Sequence, residues 1–472
     1  MIKADICVIG AGSAGLSVAA GAAQMGAQTV LIEAGKMGGD CLNTGCVPSK
    51  SLLATAKVAE SIRKASVFGI DAAEPRVNFP RVHDYVHSVI AAIAPHDSVE
   101  RFSGLGCRVI QARARFIDEK TVEAGGERIQ ARRFVIATGS RASVPPIPGL
   151  DAVPFFTNES IFENSVLPEH LIVIGAGPIG CEMAQAHRRL GSKVSVLDLG
   201  PMMPKDDTEA VDVVRQRFMA EGVEVFESIK VLRIEKNDGG VSVAIVGGGI
   251  DRRVDGSHLL IATGRRPNVE DLGLEAAGVR YSPKGIEVDA RLRSSSNHIF
   301  AAGDVAGGLQ FTHVAGYHAG IIIRNSLFRL PAKTSMKAVP WVTYTDPEWA
   351  HVGLSEAEAR NTHGDNTKVV RAEFSGNDRA QAEHTTQGFL KAVLSKRGVI
   401  IGATIVGPHA GELILPWVLA ISKSMKIGDI AGLIAPYPTL SEVSKQAAGS
   451  YYTPTLFSAR TRAIVRFLGI FG

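Results

Sequence analysis

Two cysteines, Cys41 and Cys46, sit in the run Gly38-Gly39-Asp40-Cys41-Leu42-Asn43-Thr44-Gly45-Cys46-Val47-Pro48-Ser49-Lys50. Such a pair could pass two electrons as a reversible disulfide, form a static crosslink, share a metal ion, or stay as two ordinary thiols. In an undistorted helix residues five apart have Cα atoms ~8–9 Å apart, beyond the ~7 Å a disulfide tolerates. Asn43, Thr44 and Gly45 are turn formers able to curl the chain between the two thiols. Pro48 suits the first turn of a following helix. Cys46 would then lie at a helix N-terminus, where the dipole favours a thiolate. No second Cys or His pair of suitable spacing lies nearby, so a resident metal is not expected. Taken alone, the pair is evenly balanced between redox and structural roles.

What tips it toward redox chemistry is a repeated glycine loop. Ile6-Cys7-Val8-Ile9 runs into Gly10-Ala11-Gly12-Ser13-Ala14-Gly15, then an Ala-rich helical stretch, then Thr29-Val30-Leu31-Ile32-Glu33. Leu171-Ile172-Val173-Ile174 runs into Gly175-Ala176-Gly177-Pro178-Ile179-Gly180, a helical run, and Val194-Ser195-Val196-Leu197-Asp198. Glu33 and Asp198 stand at the same distance from the first glycine of their loops. In such a unit the first glycine permits a tight turn, the second lets backbone approach a pyrophosphate, and the third allows close helix–strand packing. The helix N-terminus aims its unpaired N–H groups at the phosphates, and the acid can bind ribose hydroxyls. A glycine-rich turn with no ligand is the bland alternative; two copies in full strand–loop–helix–strand context weigh against it. A second echo, Phe134-Val135-Ile136-Ala137-Thr138-Gly139-Ser140 against Leu259-Leu260-Ile261-Ala262-Thr263-Gly264-Arg265, marks two related halves.

The elements that must carry these residues fit a chain of 472 residues, long enough for about three domains. Pro145, Pro146 and Pro148 suggest a linker, and from Pro340 onward strands and helices alternate without another nucleotide loop. A net charge of +4, spread along the chain, does not argue for nucleic acid. Five cysteines are a poor structural disulfide framework; Cys7, Cys107 and Cys181 read as buried thiols. The opening apolar run carries Asp5 and reads as a strand, and no run approaches a membrane span. The expectation is a soluble, cytoplasmic protein.

The run His298-Ile299-Phe300-Ala301-Ala302-Gly303-Asp304 resembles the FAD-binding segment of two-dinucleotide flavoproteins. That resemblance implies a flavin domain interrupted by a nicotinamide domain, with Asp304 on the ribitol chain. The first loop, with Glu33, would hold FAD and the second NAD(P)H. A carboxylate at Asp198, followed by Leu199-Gly200-Pro201 without an arginine, would repel a 2′-phosphate and favour NADH over NADPH. With the cysteine run added, the chain resembles the pyridine nucleotide–disulfide oxidoreductases, the family of dihydrolipoamide dehydrogenase, glutathione reductase and mercuric reductase. The implied architecture is α/β: two Rossmann-like domains, the FAD domain (1–155 and 276–338) split by the nicotinamide domain (156–275), plus a C-terminal α+β dimerisation domain (339–472). The resemblance further implies that Cys46 faces the flavin as a thiolate and Cys41 exchanges with substrate. Lys50 would lie near the flavin and pair with Glu182, and Ile179 near the nicotinamide. Thr138, Gly139, Gly264 and Gly303 would line the two cofactors. Members are homodimers whose active sites borrow residues from the partner chain.

The sequence departs from the family near its end. Dithiol-handling members carry His-Pro-Thr-x-Ser-Glu; here Tyr437-Pro438-Thr439-Leu440-Ser441-Glu442 keeps Glu442 but replaces the His. A tyrosine titrating near ~10 is a poor base at neutral pH, which puts fast dithiol chemistry in doubt. Mercuric reductases have a Tyr at this place but end in vicinal cysteines, and this chain ends Phe467-Leu468-Gly469-Ile470-Phe471-Gly472. The acceptor is therefore expected to be a small dithiol or disulfide, a metal ion or a quinone. His313 or His318 could substitute as base, although the family segment there lies against the flavin. Tyr437 could also be a packing residue. A redox-sensing flavoprotein with little turnover, read by a partner or a membrane surface, is the alternative. The apolar tail with Arg460, Arg462 and Arg466 is expected to pack on its own protein, membrane contact being the less favoured reading.

Overall fold

The computed structural model describes residues 1–472. Residues 1–199 and 223–334 form one compact unit, and residues 200–222 and 335–472 form a second.

The first unit begins β1 (Ile2–Ile9), α1 (Ser13–Gln24), β2 (Thr29–Glu33), α2 (Gly39–Asn43), α3 (Cys46–Arg63), α4 (Phe79–Ile93) and α5 (Val99–Gly104). It continues with β3 (Cys107–Gln111), β4 (Ala114–Asp118), β5 (Thr121–Ala124), β6 (Glu127–Ile136) and β7 (Ser140–Ala142). The second glycine-loop region is β8 (His170–Ile174), α6 (Pro178–Leu190) and β9 (Lys193–Leu197). After α7 (Thr208–Ala220), which belongs to the second unit, come β10 (Glu224–Phe226), β11 (Lys230–Asn237), β12 (Gly240–Gly247), β13 (Ile250–Gly256) and β14 (His258–Ile261). The unit closes with β15 (Arg265–Pro267), β16 (Tyr281–Ser282), β17 (Gly285–Ile286), β18 (Ile299–Ala301) and α8 (Thr312–Ser326).

Two parallel cores organise this unit. In the first sheet the strand order is β3-β2-β1-β6-β5-β4, and β18 pairs with β6 through Ile299↔Phe134 and Ala301↔Ile136. Cys7, Val8, Val135 and Ile136 are wholly buried, as expected for strands covered on both faces. The second sheet runs β10-β9-β8-β14 with all pairs parallel. A β-meander, β11-β12-β13, follows β10. The two echoed segments meet: β7 and β15 pair antiparallel, Arg266 opposite Arg141. This mixed α/β architecture carries two Rossmann-type nucleotide folds.

The second unit is built on the antiparallel sheet β19-β20-β23-β22-β21, from β19 (Pro340–Thr343), β20 (Glu348–Gly353), β21 (Lys368–Glu373), β22 (Phe389–Leu394) and β23 (Ile400–Gly407). Its helices are α9 (Glu356–His363), α10 (Asp378–Ala382), α11 (Ala410–Leu413), α12 (Leu415–Ser422), α13 (Ile427–Ala431), α14 (Glu442–Ser450), α15 (Thr453–Leu456) and α16 (Ala459–Leu468). Trp417 is fully buried between sheet and helices and donates to Ser444 Oγ at 3.1 Å. The stretch 200–222, assigned on sequence to the nicotinamide segment, lies in this unit. Asp207 caps α7, and its carboxylate lies 2.7 Å from the buried Lys391 ammonium. That buried ion pair is a tertiary contact no local pattern announces.

The tail departs from expectation as well. No residue of α16 is buried, so its apolar face does not pack on its own unit. No helix is long and apolar enough to cross a membrane.

Candidate active site

The two glycine loops have the same internal geometry. Gly10 and Gly175 have φ of +106° and +113°, and a side chain on either would meet the Ala137 or Ala262 carbonyl at 2.3 or 2.4 Å. A Cβ on Gly15 or Gly180 would strike the Gly10 or Gly175 oxygen at 1.8 or 1.9 Å, so helix and strand close only over hydrogen atoms. The middle glycines differ: Gly12 meets only Gly39 Cα at 3.9 Å, and Gly177 meets nothing within 4 Å. That space opens in front of helix N-termini with no side-chain cap and no first-turn acid. A cradle open at the middle glycine alone, with N–H groups facing it, fits a pyrophosphate. The acids close each loop in the same way. Ala11 N donates to Glu33 Oε2 at 2.5 Å, and Ala176 N donates to Asp198 Oδ2 at 2.6 Å. Ile179, in the first turn of α6, is 37% exposed, leaving an apolar side chain free beside the second cradle.

The cysteine run bends as its turn residues imply. α2 ends at Asn43, Thr44 and Gly45 break the helix, and Cys46 opens α3. Asn43 Nδ2 donates to the Met37 and Gly39 carbonyls at 3.0 and 2.8 Å, fixing the break. Both cysteines are free thiols here, the reduced form of the pair. Their proton affinities are driven apart. Cys46 is lowered to about 6, chiefly by the hydrogen bond from Cys41, with help from the Thr312 hydroxyl at 3.4 Å and the Lys50 charge, against burial. Cys41 is pushed up by that same hydrogen bond and by burial, so it keeps its proton. Cys7, by contrast, is wholly buried and its thiol is pushed up by burial alone.

Lys50 Nζ reaches Glu182 Oε2 at 2.8 Å, and Ser49 Oγ reaches the same oxygen at 2.8 Å. Sequence reasoning passed over Arg265. Its guanidinium lies 3.2 Å from Asp40, the neighbour of Cys41, and 3.7 Å from Asp304. It also donates to Ser140 Oγ at 2.8 Å, and Ser140 donates to Asp304 at 2.5 Å. The available signal was the echo itself, in which Ser140 and Arg265 occupy matching positions. Asp304 is raised above the ordinary carboxylate range by burial, partly offset by Ser140 and Arg265. Thr138 Oγ1 donates to Asn268 O at 2.8 Å, and Gly139, Gly264 and Gly303 have positive φ of 67°, 118° and 70°. Gly303 N donates to Nδ1 of the buried His318, which is therefore not a solvent-facing base; His313 is exposed and stacks on Phe311.

In the second unit Tyr437 is 71% exposed, so it is not a packing residue within its own chain. Its hydroxyl donates to Asp378 Oδ2 at 2.9 Å, and that bond raises its already high proton affinity. Glu442 opens α14 and accepts weakly from Thr439 N at 3.4 Å.

Two nucleotide cradles, a thiol pair at a helix start and a C-terminal antiparallel sheet define a flavoprotein disulfide reductase. Residues 4–319 match the family described as pyridine nucleotide-disulphide oxidoreductase, and residues 339–448 match its dimerisation domain. The chain belongs to that family, whose enzymes use FAD and NAD(P)H to act on sulfur groups. It is 33% identical over 447 residues to a mercuric reductase of Staphylococcus aureus, covering 94% of this chain and 82% of that one. It is 34% identical over 460 residues to a dihydrolipoyl dehydrogenase of Geobacillus stearothermophilus, covering 95% and 96%. Among solved structures, the Cu(II) complex of the HOCl-induced flavoprotein disulfide reductase RclA from Escherichia coli superposes with a TM-score of 0.86 at 27% identity, covering 95% of this chain and 100% of that one. LpdA from Mycobacterium tuberculosis gives 0.87 at 27%, covering 96% and 100%.

Proposed function

We propose that this enzyme is an NADH-preferring homodimer that delivers electron pairs through Cys41 and Cys46 to a thiophilic metal ion. Residues 1–155 and 276–338 would hold FAD, with Glu33 and Asp304 on its sugar chains. Residues 156–275 would hold the nicotinamide nucleotide, with Asp198 disfavouring a 2′-phosphate, and residues 339–472 would form the dimer contact. Bound FAD supplies the two-electron relay between nicotinamide and disulfide. Cys46, a thiolate at neutral pH, would face it; Cys41, a thiol, would meet the acceptor; Lys50, held by Glu182, would add positive charge beside the thiolate.

What supports the choice of acceptor is Tyr437 in the usual His position, together with the hydrogen bond to Cys46 and the burial that push the Cys41 thiol up. Rapid thiol–disulfide exchange needs the exchange thiol deprotonated. In this reading Tyr437 and Glu442 of a second copy would take the place of the usual proton shuttle, and a tyrosine tied to Asp378 is no base at pH 7. A thiophilic cation needs no such base, because coordination itself releases the thiol proton. With cupric ion the sum is NADH + 2 Cu(II) → NAD⁺ + H⁺ + 2 Cu(I). The relatives include mercuric reductases and a reductase solved with Cu(II). Buried thiols at Cys7, Cys107 and Cys181 suit a reducing compartment, the cytoplasm. The redox-sensing alternative rests on the missing His alone, and the kinship with enzymes weighs against it.

The test is NADH oxidation by the FAD-loaded protein with Cu(II) or Hg(II), lipoamide and a soluble quinone, in parent and Cys41→Ser. Metal-dependent turnover exceeding lipoamide turnover and lost in Cys41→Ser is expected. Lipoamide turnover above the metal rate would overturn the metal reading.

A further inference from the structure

From Tyr451 to Gly472 the chain carries Arg460, Arg462 and Arg466 and no Asp or Glu. Ser458 caps α16, its Oγ accepting from Thr461 N at 3.2 Å, and Arg462 donates to the Phe457 carbonyl at 2.8 Å. The turn between α15 and α16 is thus held by the tail's own polar groups. The apolar side chains are left over: Leu456, Phe457, Ile464, Val465, Phe467, Leu468, Ile470 and Phe471 are each between 48% and 75% exposed. At the helical repeat, Ile464, Phe467 and Leu468 share one face of α16 and Arg462 and Arg466 the opposite one, while Arg460 stands in the first turn at the edge of the apolar face and Phe471 follows the helix end. The Phe467 and Phe471 rings lie 5.4 Å apart.

Nothing in the second unit claims this face. The apolar core there ends with Ala447, Ala448 and Tyr451. The match to the family's dimerisation domain ends at residue 448, so the helix lies outside the matched segment. A second copy of the tail would bring more arginine and no acid to meet it.

We propose that α16 is an interfacial anchor that seats this oxidoreductase on an anionic lipid surface. The helix would lie in the plane of the interface, with Phe467, Leu468 and Phe471 at the headgroup–acyl boundary and the three arginines among lipid phosphates. It is too short to span a bilayer and holds the protein peripherally. Electrons from NADH would then be released beside the membrane face. The anchoring does not depend on which acceptor the thiol pair serves.

Flotation of the FAD-loaded full chain with vesicles of phosphatidylglycerol and phosphatidylcholine, and with phosphatidylcholine alone, tests this. The parent is expected to float with the anionic vesicles and to be released by high salt. Each arginine removed weakens binding about fivefold, so Arg460→Gln/Arg462→Gln/Arg466→Gln binds about a hundredfold less. Phe467→Ser/Phe471→Ser abolishes flotation. Both variants keep the parent's FAD content and NADH-driven flavin reduction. Absence of parent binding, equal binding to neutral vesicles, or unchanged binding in both variants refutes the anchor. A variant that sediments as a smaller species shows instead that the tail is a subunit contact, and equally overturns it.

Discussion

Lys50 Nζ and Glu182 Oε2 lie 2.8 Å apart, joining the helix that starts at Cys46 to the helix behind the second glycine loop. Glu182 is nearly buried, and its second donor is Ser49. A carboxylate so placed holds the ammonium one helical turn from the Cys46 sulfur, so the charge that favours the thiolate is fixed in place. The helix carrying the thiol and the helix behind the second glycine loop are thereby tied together by one ion pair.

The Cys46 thiolate should be measurable directly. In the reduced, FAD-loaded enzyme its long-wavelength absorbance should grow with pH around a midpoint of about 6. Because the shift is downward, the thiolate persists above that value and is lost below it. Thr312→Val removes the hydroxyl partner and should raise the midpoint by roughly one unit. A parent midpoint near an ordinary thiol's would show that the helix start and Cys41 do not stabilise the anion.

Gly177→Ala separates the cradle from the fold. The new methyl meets no protein atom within 4 Å, so folding and FAD content should stay as they are. It would occupy the space proposed for the nicotinamide pyrophosphate, and KM for NADH should rise at least about tenfold. Gly180→Ala is the control that should misfold, since its Cβ falls 1.9 Å from the Gly175 oxygen. Unchanged KM in a well-folded Gly177→Ala would show that the pyrophosphate lies elsewhere.

These contrasts explain what could be read in the chain beforehand. Both glycine loops, their strands and their terminal acids are local in sequence, and each glycine's demand is a property of a few neighbouring residues. The break at Asn43-Thr44-Gly45 was legible for the same reason. Arg265 was not: it matters because Asp40 and Asp304, far away in both directions along the chain, come to its guanidinium. Lys391 was hidden too, since a lysine inside a strand reads as solvent-facing until Asp207 and Glu356 are seen beside it. Tyr437 could be singled out by its place in the run, but its exposure and its Asp378 partner are tertiary facts.

Tyr437→His should restore a proton shuttle at neutral pH. Lipoamide turnover is expected to rise about tenfold or more, within the usual range for general acid–base catalysis, with metal-ion turnover little changed. Tyr437→Phe should leave lipoamide turnover near the parent's already low rate. A large loss in Tyr437→Phe would mean the phenol does take part in proton transfer.

Lys391→Met addresses stability rather than catalysis. The ammonium is 5% exposed and faces Asp207, Glu209 and Glu356 at 2.7, 3.5 and 3.3 Å. Removing it strands the buried Asp207 carboxylate, at a cost of about 3–5 kcal/mol, visible as a lower melting temperature. Its partners raise the lysine above its ordinary value, outweighing burial. The stabilisation is therefore complete below the free lysine value and fades only as pH climbs through the higher folded-state value. An equal melting temperature for variant and parent would show the cluster to be dispensable.

The pairing of β18 with β6 sets an order of assembly. Phe134 is laid beside Cys7 early in synthesis, but its other neighbour, Ile299, is translated only after both glycine loops and the whole second sheet. Until then the Phe134–Ile136 end of β6 keeps an open edge, since β5 covers only Glu127–Gln130, and it can accept a stray strand from another chain. A ribosome-bound nascent chain stopped before residue 299 would thus hold an incomplete first sheet, and chaperone engagement should peak in that window.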